Sequence, residues 1–195
     1  WGIFDGDGGH YIGGTGLGTH TFGLFNTAAQ NSVATEALRS LNGALAPGDT
    51  FSINLGFSTF ANTGSVGIGL RSGGTTMIEL FTTGSGTWQL NDGGMGGAFS
   101  TGSTATAGTP YTFTFTYNGG NSYSYTLTGS GGGNNFTATN PINNIDNIRL
   151  FSFNQGPNAN FGFDNLAVVP EPTTVSLIAG PALLGAWFLG RRRRS

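Results

Sequence analysis

The sequence predicts an all-β fold, a two-sheet antiparallel sandwich of jelly-roll type, with a C-terminal transmembrane helix behind it. Three observations carry this prediction. Short runs alternate apolar with small polar residues from position 20 onward; Gly, Asn, Asp or Pro separates the runs; and the composition changes abruptly after residue 168. The runs are Thr21 to Phe25, Thr50 to Phe57, Ser65 to Leu70, Thr76 to Phe81, Thr87 to Leu90, Tyr111 to Tyr117, Ser122 to Leu127, Phe136 to Thr139, Ile145 to Phe153 and Asn160 to Val168. All have period two, the spacing of a strand with one face buried. Ser32 to Leu41 is different. Its Val33, Ala37, Leu38 and Leu41 fit i, i+4, i+5, i+8, which leaves a short helix and an irregular strand both open.

The clearest pairing is Tyr111–Tyr117 with Ser122–Leu127. An odd loop, Gly119 to Asn121, sets Tyr117 opposite Tyr123, Phe115 opposite Tyr125 and Phe113 opposite Leu127, whereas a two-residue loop sets every aromatic opposite Ser or Thr. The odd loop is expected, with Thr112, Thr114 and Thr116 on the solvent side. Ten such strands without crossover helices make a sandwich. The Gly-rich stretches share no fixed period, which argues against a solenoid.

Composition bounds the chemistry. The chain has 195 residues, 36 of them Gly, with 16 Phe, no Cys and no Lys. Zero Cys removes disulfides, thiolate zinc sites and thiol nucleophiles. Residues 1–168 carry eight acids against Arg39, Arg71 and Arg149, while Arg191, Arg192, Arg193 and Arg194 form a basic tail. An acidic body excludes a nucleic-acid footprint. Two domains are therefore read: a sandwich at 1–168 and a separate signal at 169–195.

That signal has three zones in fixed order: Val169-Pro170-Glu171-Pro172, an uncharged stretch from Thr173 to Leu189, then Gly190 and the four arginines. The two prolines hold the chain extended. The 17 uncharged residues span about 25 Å as a helix, a short membrane crossing, with Trp187 at headgroup depth and the arginines on the cytoplasmic side. The arrangement resembles the PEP-CTERM sorting signal of exopolysaccharide-producing Gram-negative bacteria. The resemblance implies export through the inner membrane, recognition by an exosortase, removal of the tail near the motif, and release to the cell surface or extracellular matrix. The start, Trp1-Gly2-Ile3-Phe4, has no Met and no basic-then-apolar segment, so the original N-terminus, with a signal peptide, is expected to stand upstream of it. At the other end of the body, Asn160 to Val168 resembles the last strand of concanavalin A-like and carbohydrate-binding jelly rolls, with its Asp164-Asn165 pair.

Candidate sites are few. A glycosidase needs two facing carboxyl groups. Glu36 and Glu79 are the only body glutamates, and no strand carries carboxylates at i, i+2 or i, i+4. His10 and His20 lie in no recognisable triad setting, and no nucleophile elbow is present. Asp5 and Asp7 in a Gly-rich loop, with Asp164 on the terminal strand, form a candidate structural calcium site, although the full calcium-loop pattern is missing. Trp88 with Gln89, Asn91 and Asp92 is the candidate sugar platform, with Trp1 and Tyr11 as others; alternation with Leu90 equally fits Trp88 to the core. The resulting expectation is a non-enzymatic exported protein, structural or glycan-contacting. Its alternatives are an extracellular polysaccharide-active glycoside hydrolase using Glu79 and an Asp, or a passive adhesive surface protein.

Overall fold

The computed structural model describes residues 1–170 apart from 7, 14–16, 18–20, 28–33, 61–63, 84–85, 94–96, 130–132, 138–141 and 157–158, with backbone alone at 133–137. Among the described residues the regular structure is all strand: Gly2–Phe4 (β1), Gly8–Gly13 (β2), Thr21–Asn26 (β3), Ala34–Ser40 (β4), Thr50–Phe57 (β5), Ser65–Ser72 (β6), Thr75–Thr83 (β7), Thr87–Asn91 (β8), Phe99–Thr104 (β9), Tyr111–Gly119 (β10), Ser122–Thr128 (β11), Gly133–Thr137 (β12), Asn147–Phe153 (β13) and Asn160–Val169 (β14). They form two seven-stranded sheets. The first runs β1-β4-β13-β6-β7-β8-β9 and the second β12-β11-β10-β5-β14-β3-β2. The paired neighbours are antiparallel, as the turn-rich sequence requires.

Each of the ten expected runs overlaps a strand, the Phe136–Thr139 run only at 136–137 because 138 and 139 lie outside the described residues, and β1, β2, β4 and β9 are additional. The ambiguous Ser32–Leu41 segment resolves as β4, clamped between β1 and β13. Burial alternates along it, with Thr35 and Ala37 inside and Glu36 and Leu38 less buried. Pairing on both sides decides the conformation where local spacing fits two templates. In the β10–β11 hairpin Phe113 faces Leu127, Phe115 faces Tyr125 and Tyr117 faces Tyr123, and the odd residue becomes a bulge after Tyr117.

Inward residues of both sheets interlock. From the second come Phe51, Ile53, Phe113, Phe115 and Phe161; from the first come Ile68, Leu80, Trp88, Leu90, Ile148 and Leu150, all buried. A polar chain sits between the sheets. The Ser152 hydroxyl donates to the Asn26 side-chain carbonyl at 2.7 Å, the Asn26 amide donates to Thr35 Oγ1 at 3.2 Å, and the Thr35 hydroxyl reaches the Phe25 carbonyl at 3.1 Å. Asn26 belongs to the second sheet and the other two to the first, so these bonds join the layers.

Strand β14 continues to Val169, which pairs with Thr50, and Pro170 follows it. A proline has no N–H for the ladder, which suits the strand's end. Glu171, Pro172, Trp187 and the four arginines lie outside the described residues, as does the expected membrane helix. No helix among the described residues is long and apolar enough to cross a membrane.

Candidate functional site

The outer face of the first sheet can be read from register. Cross-strand partners share a face, so successive rows are Ser40–Asn147–Arg71, then Leu38–Arg149–Gly69–Glu79–Asn91, then Phe4–Glu36–Phe151–Gly67–Phe81–Gln89. Central strand β6 contributes Gly67 and Gly69 to this face. A Cβ on Gly69 would stand 3.2 Å from Thr76 Cγ2 and 3.8 Å from Arg149 Cβ, and one on Gly67 only 2.3 Å from the Leu80 carbonyl oxygen. The missing side chains let Arg149 lie toward β7.

Arg149 therefore holds two carboxylates. Its Nη2 donates to Glu36 Oε1 at 2.5 Å and its Nη1 lies 3.5 Å from Glu79 Oε2. The guanidinium also lies 4.7 Å from the centroid of the Phe151 ring. All three charged side chains are about three-quarters buried. Burial raises the pKa of Glu79 despite the opposing pull of Arg149, and the charge of Glu36 raises it further. A carboxyl with a raised pKa beside a second carboxyl group is the kind of pair that acid–base work on a glycosidic bond uses.

The cluster also predicts a stability effect. Replacing Arg149 by Met leaves two partly buried carboxylates facing each other without a cation. The variant is expected to lose about 2 kcal/mol at pH 7, discounted from a fully buried pair because the groups keep some solvent. In urea titrations the loss should shrink at acid pH, where protonated carboxyls need no counter-charge; an equal loss at both pH values would remove the electrostatic explanation.

The sequence-predicted residues are distributed differently. Trp88 is completely buried among Phe57 and Tyr111, so it cannot meet a sugar, whereas its neighbours Gln89 and Asn91 stand on the outer face with Glu79 and Phe81. Asp92 is buried and accepts from the Tyr123 hydroxyl at 3.3 Å, and that phenol's pKa is raised by burial and then by Asp92. Asp5 is engaged by His10 at 2.9 Å, and Asp164 accepts from the Asn165 N–H at 2.6 Å. Asp7 and His20 lie outside the described residues, among which no group of three or more His, Asp or Glu could hold a metal. Tyr11 lies against Gly23, whose Cβ would stand 2.3 Å from Tyr11 Cζ, and burial raises the phenol's pKa. Trp1 stays 44% exposed, 5.2 Å from Phe163. Across the second sheet's outer face, Thr50 and Thr116 hydrogen-bond at 3.0 Å, and Thr112 donates to Asn54 at 2.9 Å.

No family model and no curated protein sequence matches the chain. Solved structures do. A sialidase superposes with a TM-score of 0.64 at 13% identity over 87% of this chain, which spans only 17% of that one. An alginate lyase from Pseudomonas aeruginosa gives 0.56 at 14% identity, covering 77% of this chain and 83% of that chain. A structure described with endo-acting O-glycanases of the human gut microbiota that initiate mucin breakdown gives 0.60 at 8% identity, over 78% and 80%. The body shares with these structures an all-β, antiparallel two-sheet sandwich consistent with a jelly roll. At such identities the likeness establishes fold alone.

These structures correct one expectation. The non-enzymatic reading does not stand, because jelly rolls of this shape carry lyase and glycanase names. It had rested on the lack of two carboxylates along one strand. Glu36 and Glu79 instead come from β4 and β7 and meet at Arg149 on β13, a convergence that only sheet order creates. Arg149, Glu36 and Phe151 were missed for that reason. The available signal was that both body glutamates and Arg149 occupy the outward phase of their strands.

Proposed function

We propose that this chain is an exported polysaccharide-active protein that lays a glycan across the outer face of its first sheet and hydrolyses it between Glu79 and Glu36. The observation that carries the reading is the single guanidinium shared by both carboxyl groups. Each is bonded to a different nitrogen of Arg149, so the bonded oxygens stand no more than roughly 8 Å apart, below the ~9.5 Å upper limit of the carboxyl separations used in glycoside hydrolysis. In the reaction, Glu79 gives its proton to the glycosidic oxygen as the bond to the anomeric carbon breaks. Water adds at that carbon, and Glu36 takes the water's proton. Gln89 and Asn91 supply amides for sugar hydroxyls on the same face.

Export rests on residues 169–195 alone. Exosortase processing, anchoring in the inner membrane beforehand and release to the cell surface or matrix belong to this proposal. An exopolysaccharide is the glycan such a protein meets. The test incubates the full chain with neutral and acidic polysaccharides and measures new reducing ends. Product from at least one polymer is expected; no product and no binding with any of them sinks the reading.

A further inference from the structure

Two phenylalanines stand on the outer face of the first sheet, outside the core cluster. Strand β1 turns Ile3 inward against the core and Phe4 outward, where Phe4 stays 61% exposed. Phe81 shares its face with Glu79, two residues before it on β7, and is partly buried. Register puts both rings in one row, Phe4–Glu36–Phe151–Gly67–Phe81–Gln89. They lie four strand spacings apart, roughly 19 Å and the length of several sugar rings.

The two rings bracket the acid pair. Phe4 lies one strand beyond Glu36 and Phe81 lies on the strand of Glu79 itself, so a bond cut above β13 and β6 has a ring on each side. Phe151 stands between them but offers no platform, being 4% exposed with the Arg149 guanidinium 4.7 Å from its centroid. Phe81 is fixed at its base. A Cβ on Gly67 would stand 2.8 Å from Phe81 Cβ, so β7 packs closely on β6 at that point. A flat ring held by its backbone suits the C–H face of a pyranose, and Gln89 beside it offers an amide to the sugar's hydroxyls.

Charge decides which sugars fit. Among the described residues, the rows from Leu38 to Asn91 and from Phe4 to Gln89 carry only Glu36, Glu79 and Arg149 as charged groups. Arg149 is shared by both carboxyl groups, so these rows hold no surplus positive charge for a sugar carboxylate or sulfate. Arg71 stands one row further and gives its Nη2 to the Gly74 carbonyl. An anionic chain would face carboxyl groups whose one cation is already engaged.

We propose that Phe4 and Phe81 are stacking platforms on either side of the scissile bond, and that the sheet takes a neutral, extended polysaccharide across its strands and cuts it internally. The proposal rests on the glycan-cleaving reading and assigns its substrate class and mode of cleavage. Rings on both sides of the acid pair hold a chain that continues in both directions, as an internal cut requires.

The experiment gives the full chain laminarin and galactomannan as neutral polymers and polygalacturonate as the anionic one, and follows KM, kcat and product size. A neutral polymer is expected to be cleaved best, with oligosaccharides of mixed length among the earliest products. Phe4→Ala and Phe81→Ala should each raise KM on that polymer about tenfold while kcat stays nearly unchanged. Phe4→Tyr and Phe81→Tyr keep a ring and should hold the parental KM. Because Phe4 lies outside the core, its alanine variant should also keep the parental melting temperature. Parental KM in both alanine variants, release of single sugars from chain ends, or preference for polygalacturonate overturns the platforms while leaving the cleavage reading standing. No product and no binding with any of the three polymers overturns both.

Discussion

Trp88→Ala is expected to cost about 4 kcal/mol, the largest stability loss foreseen in the sandwich. The indole is fully buried on β8, 5.3 Å from the Tyr111 ring and 6.2 Å from that of Phe57. Its removal leaves a cavity in the core cluster beneath a strand whose outer neighbour is the sheet's last, β9. The Trp88 carbonyl accepts from the Thr101 hydroxyl on β9 at 2.9 Å, so loosening β8 also loosens the edge. A domain of ordinary stability, about 5–15 kcal/mol, is left marginal. Trp88→Phe should be far milder. The indole Nε1 is buried without a hydrogen-bond partner, and a phenyl ring keeps much of the packing while removing that donor. Urea denaturation of the two variants checks this; an alanine variant as stable as the parent would put the ring outside the core and restore it as a sugar platform.

Glu79→Gln is expected to lower turnover about 10²- to 10⁴-fold on whichever polysaccharide is cleaved, the range seen when a positioned proton donor is removed. Glutamine keeps an oxygen for Arg149, so the fold should survive. The pH profile separates chemistry from structure. Glu79 acts in its protonated form, and burial has raised its pKa above 4.5, so parent activity should decline as pH rises through that raised value. The same shift enters stability with a definite sign. The folded state holds the Glu79 proton more tightly than the unfolded chain, so this contribution is complete below pH 4.5 and is lost as pH climbs through the folded pKa. The glutamine variant should lack that slope. Unaltered turnover in the variant, with the same alkaline decline, would transfer the proton to another group.

How much of this was legible differs by element. The β10–β11 hairpin could be paired from sequence because its aromatics occupy one phase, and a one-residue slip would turn all of them to water. Segments β1, β2 and β9 escaped because Gly and Ser weaken their alternation; Gly8, Gly9 and Gly13 leave β2 little pattern to read. Strand β4 was ambiguous because Ala37 and Leu38 are adjacent apolar residues on opposite faces, which local spacing cannot separate from a helical stripe. The site was harder still. Alternation already placed Gln89 and Asn91 opposite Trp88, but Glu36, Glu79 and Arg149 meet only because β13 inserts between β4 and β6, a pairing between segments distant along the chain. Local pattern carries no information about that insertion.

The Ser152–Asn26–Thr35 chain has a consequence for how the two layers sit on each other. Hydrocarbon surfaces tolerate sliding, since one methyl replaces another at little cost. Here a two-residue shift of either layer would strand an amide and two hydroxyls in a dry interior, each costing about 1–3 kcal/mol. The trio works as an index pin: it gives the sandwich one alignment among several that greasy side chains alone would accept.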